Sequence, residues 1–417
     1  MTRRRGDRRG HSRAARRRGV AVCILVLGIA TILAMTGFTL LSVARANHRI
    51  HGSLQKSLQA QHVALAGVEK AFNYMYANPS WRQTMPNGTW FPNQTFGPGE
   101  YTITAVDTDG SLSDDERDCL IVTSTGTVGD AVHKVKATLT PRPHPALAFA
   151  AFGYNSFGLA SDAVARGPVR SNGAIWSDGN ADAEDNAYFE SVRNAYIASE
   201  LTPSRYAATA MSYPQPSLSY YLSLATPVAG IAGTTARLRE HVLTPTRNSE
   251  SSSQINANGI YALNCTNRPV VVQNSRIKGT LILYNTAQTV TFQSPLRIEP
   301  AGYSYPSILI FSTQSNVVFQ LEESSLVEWD DWVDYSEDGD KLDTLSTYIK
   351  GLVWTDSSYI SMKGSGTPIT GCIIGSGLQV YDGVVCNDDP QLAQAMIPGF
   401  VDTNMKIVPG SWREVEP

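Results

Sequence analysis

The chain has 417 residues, 42% apolar and 17% charged, which allows two or three domains at about 150 residues each. Its net charge of −3 is unevenly placed: residues 1–19 hold nine Arg and one Asp, and the remainder holds 25 Lys+Arg against 36 Asp+Glu, a net of −11. A body that acidic excludes the basic surface on which nucleic-acid binding depends.

The arginine block Arg3–Arg18 ends at Gly19, and an uncharged stretch of 24 residues, Val20–Val43, follows directly. About 20 apolar residues cross a bilayer, and a secretory h-region is usually about 7–15, so the stretch reads as a transmembrane helix. Positive charge flanking a span stays cytoplasmic, so the acidic bulk is expected outside the membrane. The basic arm is read as a topology signal and not as a nucleic-acid tail. No proline occurs before Pro79, which makes residues 20–78 one long helix. Over Leu54–Met75 the apolar residues recur at helical spacing. Leu58, Leu65 and Phe72 are seven apart, and Leu54, Val68 and Met75 lie on the companion position with Gln61 as its polar member. The stripe predicts a helix packed on a sheet of its own domain.

Residues 79–98, rich in Pro, Gly, Asn and Trp, read as a loop. Three strand-like runs follow. Tyr101–Val106 is closed by Asp107-Thr-Asp-Gly110, Cys119–Ser124 is closed by Thr125-Gly126, and the third alternates over Lys134–Leu139. They predict an antiparallel meander over residues 79–140, with one face on the amphipathic helix. Pro-Arg-Pro-His-Pro at 141–145 reads as a stiff linker and a domain boundary.

From Ala146 to 417 short apolar runs alternate with Gly, Asn, Ser and Asp. Ile277-Lys-Gly279, Ile349-Lys-Gly351 and Ile369-Thr-Gly371 each precede a mostly apolar run. A turn glycine before each buried strand suits a β-solenoid, and the irregular spacing leaves a β-sandwich open. Residues of about 190–245, dominated by Tyr, Ala and Ser with prolines, read as a helical or irregular insertion. The fold class expected is α+β: a long N-terminal helix on an antiparallel sheet, then a mainly-β domain.

Sets of residues that carry chemistry are sparse. No GxSxG, HExxH or phosphate loop occurs, and no His pairs with Cys or Ser in a known motif. Asp178-Gly-Asn180-Ala-Asp182 places oxygens as a calcium loop does, although Ala183 and Phe189 stand where Gly and Glu belong. It is a weak calcium candidate, and no other cofactor is expected. The acids from Glu322 to Asp340 could serve acid–base work on sugars, but their crowding with Ser and Gly reads as a solvated loop. Trp329, Trp332, Tyr335 and Trp354 lie near them. Four cysteines would be exported, where disulfides persist, and Cys372–Cys386 is the favoured pair by proximity in sequence.

Residues 1–140 resemble the PilX-type minor pilins of the type IV pilin-like family. Arg16-Arg17-Arg18-Gly19, Val20-Ala21-Val22 with the apolar helix, Ala64–Ala71, and the strands Tyr101–Val106 and Leu120–Gly126 carry the similarity. The resemblance implies cleavage by a prepilin peptidase after Gly19, leaving Val20 as the mature N-terminus. It implies as partners other pilin-like subunits, the inner-membrane assembly machinery and the membrane. Major pilins carry glutamate at the fifth mature position, and here Ile24 stands there. PilX-like subunits commonly lack it too, which fits a low-copy tip or priming subunit without enzymatic activity. The part after residue 140 looks like β domains appended to some PilX-like proteins.

A plain membrane-anchored protein outside any pilus system stays open, and so do two other classes. An anchored or secreted β-solenoid acting on or binding polysaccharide is one. A plain secreted protein is the other, since Ala44-Arg-Ala46 fits an A-x-A cleavage site.

Overall fold

The computed structural model describes residues 11–178, 181–184, 187–189, 205–207, 210–230, 233–312, 316–356 and 358–415. Helix α1 runs from His11 to Ala77, 67 residues or about 100 Å at 1.5 Å per residue. It stops where Pro79 disfavours the helical conformation of Asn78, whose own N–H still bonds the Tyr74 carbonyl.

The second half of α1 lies on an antiparallel sheet. Strands β1 (Gly88–Phe96), β2 (Gly99–Asp107), β3 (Leu120–Val128) and β4 (Ala131–Pro143) pair in chain order. Their inward residues alternate strictly, Tyr101, Ile103 and Ala105 on β2 and Leu120 and Val122 on β3, as one buried face demands. Ala60, Val63, Ala71 and Met75 of α1 close that core. Three differences from the sequence reading stand out. Residues 88–96 are an edge strand and not loop. Gly126 does not close β3, which continues through it to Val128. The sheet is completed from the far end of the chain, because Val401–Ile407 and Arg413–Val415 both pair with β4. The mainly-β domain is therefore inserted between β4 and these last strands. The expected linker at 141–145 is itself structured: Arg142 and Pro143 pair with Asp402 and Val401, and His144 caps a short 3-10 turn.

The inserted domain is a closed tube of parallel strands wound around one core. Three parallel ladders form its walls. One joins Ile260–Asn264, Thr280–Thr286, Ile308–Ser312 and the later half of Tyr348–Thr355. The second joins Val270, Val290, Val317, Ile360, Leu378, Phe157 and Ile175 as successive register partners. The third stacks Ile277, Ile298, Ile349, Ile369, Cys386 and Ala165. These residues all point into the common core, where Phe292 and Phe319 stack at 4.7 Å. The glycines after the repeated isoleucines mark the corner leading into the first ladder. Gly279, Gly351 and Gly371 have φ of +144°, +101° and +141°, and a Cβ on Gly371 would lie 2.7 Å from the Gly351 carbonyl carbon.

A sandwich of antiparallel sheets is excluded by these pairings. A simple solenoid is corrected as well, because the turns do not stack in chain order. The chain enters at Ala151–Ala160, builds outward to Arg205–Ala207, and returns to the other end at Thr226–Val228. It then winds back until Pro368–Val380 pairs with Ala151–Ala160. The first strands laid down thus lie in mid-stack. The stretch read as an insertion at 190–245 supplies end strands at Thr226–Val228, Ala236–Arg239 and Val242–Leu243. Its part at 210–225, with the helix Leu218–Leu224, is the return path. That path covers the outside of the first ladder. Tyr213 donates to the Thr355 carbonyl, Trp354 Nε1 to Pro214 O at 3.0 Å, and Tyr221 to Pro398 O at 2.7 Å. The ladder is therefore buried on both faces, which is why its strands read as unbroken apolar runs such as Leu281-Ile-Leu283.

Candidate functional site

The sequence points to α1 as the functional element. Its residues Val20–Val43 are exposed throughout, with Val20 at 57% and Ile24 at 68%. Water would not tolerate such a surface, and a bilayer or a bundle of like helices would. The 24 residues span about 36 Å, enough for a hydrocarbon core of about 30 Å. The polar side chains inside it are turned to the same end. The hydroxyls of Thr31, Thr36, Thr39 and Ser42 each donate to a carbonyl three or four residues earlier, so none is left for solvent.

Beyond residue 58 the same helix becomes half-buried. The stripe expected at Leu54–Met75 holds only in part: Leu54 and Leu58 project past the sheet and are exposed, and Val68 and Met75 are buried. The tightest contact uses small residues instead. Gly126 lies against the helix backbone, where a Cβ would stand 2.5 Å from Ala64 N and 3.0 Å from Ala64 Cα. Gly67 faces Ser124 and Tyr101 of the sheet with as little room. An interior strand glycine marks just such a close backbone approach, and that signal was present in the sequence at Gly126.

The geometry also orders the molecule along α1. Lys56 Nζ meets Asp130 at 2.7 Å, so the β3–β4 hairpin lies nearest the apolar segment. At the other end of the sheet Trp81 Nε1 donates to Thr403 O at 3.4 Å, beside the β4–Val401 pairing from which the tube departs. Glu116, whose carboxyl burial pushes above its usual range, accepts the Gly399 N–H there and ties the sheet's β2–β3 connection to the chain leaving the tube. The tube is thus carried at the end of the sheet remote from the apolar helix.

The remaining candidate residues separate. Gly19 lies within α1, one residue before the exposed Val20. Asp178 ends the strand Ala174–Asp178 and Asp182 begins Asp182–Ala183, both exposed, and Asn180 lies outside the described residues. The carboxylates that do gather are others: Asp107 at the end of β2 with Asp109 and Asp118 of the β2–β3 connection, and Glu328, Asp340 and Asp343. Cys372 and Cys386 form no disulfide. Cys372 faces outward under the return path, donating to Ala146 O at 3.1 Å, and Cys386 faces the tube core. Proximity in sequence misled here because the two lie on opposite faces of the tube wall. Burial holds both thiols protonated, Cys386 up to about 12.

The acidic stretch is a folded excursion and not a solvated loop. Ser325–Val327 pairs with Thr344–Ser346, and Leu326 and Tyr335 pack on Val242. Glu328 is fully buried and accepts the N–H groups of Ser336 at 2.6 Å and Asp343 at 3.0 Å. Arg247 pairs with Asp334 at 2.9 Å, and Arg276 donates to the Tyr335 carbonyl. Trp354 lies in the core, whereas Trp329 and Trp332 are exposed.

No family model matches the chain, and no curated protein matches it. Among solved structures it is similar to the competence-associated pilin ComZ from Thermus thermophilus, at a TM-score of 0.32 and 12% identity over 86% of this chain and 98% of that one. A similarity of that size settles neither fold nor function.

Proposed function

We propose that this chain is a pilin-like subunit of PilX type, a non-enzymatic tip or priming component of a type IV pilus or type II secretion filament. One observation carries the reading: a single unbroken helix presents a span-length apolar segment and then packs by small residues on an antiparallel sheet. That arrangement lets the same surface lie first in lipid and afterwards among the helices of other subunits. The arginine block orients the N-terminus to the cytoplasm, where a prepilin peptidase would cut after Gly19. Ile24 leaves no carboxylate to neutralise a neighbour's amino terminus, and an unpaired charge among apolar helices is expensive. A subunit of this kind therefore suits the filament end, with its large tube held outward at the far side of the sheet as the binding part. Its partners in this reading are other pilin-like subunits and the inner-membrane assembly machinery.

The test is the mature N-terminus of the native protein by mass spectrometry. An N-methylated chain beginning at Val20 is the expected result. A start at Asn47 means signal-peptide removal and a secreted protein, and an unprocessed start means a plain membrane anchor; either sinks the proposal. The tip assignment is tested by Ile24→Glu, which is expected to admit the protein to the filament body in immunogold images.

A further inference from the structure

The excursion between the strands Asn316–Gln320 and Tyr348–Thr355 has a firm base and an uncovered outer surface. Residues 322–343 hold ten Asp+Glu and one basic residue, Lys341. Among the described residues, Asp334 is the only one of the ten in a salt bridge. On the outer surface Trp332 is 75% exposed, Leu342 72% and Trp329 50%. The two ends of the excursion meet: the carboxylates of Glu328, Asp340 and Asp343 fall within 4.8 Å of one another, and the Lys341 ammonium stands 5.7 Å from the Trp332 ring centre. Trp332 has φ +57°, in the left-handed region that bulky residues seldom occupy. Glu328, anchored by two backbone N–H groups, and Tyr335, bonded to Asn274 O at 2.9 Å, hold the turn that keeps the indole outside.

We propose that this surface captures a Lys- or Arg-rich polypeptide segment of a partner. Carboxylates without a basic partner beside exposed apolar side chains draw in cations and repel nucleic acids and acidic glycans. Indole faces accept ammonium and guanidinium groups by cation–π attraction, and Lys341 already approaches Trp332 from within the chain. Tryptophan is enriched among the interface residues on which binding energy concentrates once a partner covers them. A neutral sugar would use the indoles but leave the carboxylate field without a counterpart. The surface stands independently of the filament reading, since the tube presents it whether or not the chain enters a filament.

The experiment measures fluorescence anisotropy of a fluorescein-labelled oligolysine peptide with the full-length protein in non-ionic detergent. Oligoglutamate and cellohexaose serve as competitors. Saturable binding that weakens with salt is expected, with oligoglutamate and cellohexaose failing to displace the probe from the protein directly. Loss of both indoles in W329A/W332A should weaken it by about tenfold, and Trp332→Phe should weaken it less. D330N/D338N, which leaves the anchoring Glu328 in place, should flatten the salt dependence. If oligolysine shows no saturable binding, the proposal fails. It fails equally if cellohexaose binds in competition, or if Trp332→Phe and D330N/D338N both bind as the parent does. Limited proteolysis of 321–347 reports whether each variant keeps the excursion folded.

Discussion

Gly126→Ala tests the joint between helix and sheet. The added methyl would stand 2.5 Å from Ala64 N, 3.0 Å from Ala64 Cα and closer still to the Ala60 carbonyl oxygen, where ordinary contact begins at 3.4 Å. All three obstacles are helix backbone, so no rotamer change relieves them and α1 must retreat by about 1 Å. A gap of about 0.5–1 Å forfeits a quarter to a half of each dispersion contact, and here Ala60, Val63, Ala64, Val68 and Ala71 would all lose contact with the sheet. Overpacking costs about 1–3 kcal/mol, and a backbone-on-backbone clash belongs at the upper end, about 3 kcal/mol. Hydrogen exchange of the amides of residues 60–77 reads this locally, and a urea titration followed by the indoles of Trp81 and Trp90 reads it for the whole unit. Gly28→Ala is the control, since no atom lies within 4 Å of a Cβ there. Exchange unchanged by Gly126→Ala, with stability shifted by less than about 0.5 kcal/mol, would refute the packing argument.

Other outcomes follow from particular side chains. Burial lowers the His144 pKa from 6.5 to about 4, while its Nδ1 accepts Ala146 N–H at 3.1 Å and its Nε2 meets Ser212 Oγ at 3.0 Å. Because the folded state favours the neutral ring, this stabilisation is complete above pH 6.5 and is lost as pH falls towards 4, a change of roughly 3 kcal/mol. His144→Gln should remove that part of the pH slope in denaturation curves, and an unchanged slope counts against it. Glu328→Ala strips two buried backbone N–H groups of their acceptor, which should cost about 2–4 kcal/mol; the expected readout is rapid proteolysis within 328–343, and resistance there would contradict the anchoring role. Thiol titration of the denatured, unreduced protein should return all five cysteines; a lower number would mean a disulfide exists.

Much of the first unit was legible because its signals are local. An apolar run of span length, the absence of proline before Pro79 and strict alternation in β2 and β3 each reflect one element's own burial. The glycines after Ile277, Ile349 and Ile369 likewise announced corners, since only their positive φ permits the chain to turn there without a clash. The apolar runs of the first ladder announced burial, but not that a return path at 210–225 supplies the cover on its outer side.

Pairings between distant residues were not legible. That Val401–Ile407 completes the first sheet depends on a partner strand more than 250 positions earlier, and Pro143 and Val401 carry no mark of each other. The same holds for the order of the tube, where Phe157 stacks on Leu378 because the last turns close on the first. Cys372 and Cys386 look paired along the chain and are separated by the wall they belong to. The acids near 330 look solvated by composition, yet Glu328 is buried because two backbone N–H groups converge on it. Local sequence thus determined the helix and the strands. Tertiary structure alone decided which strands meet, since many strands present equivalent backbone edges and only closure of a common core selects among them.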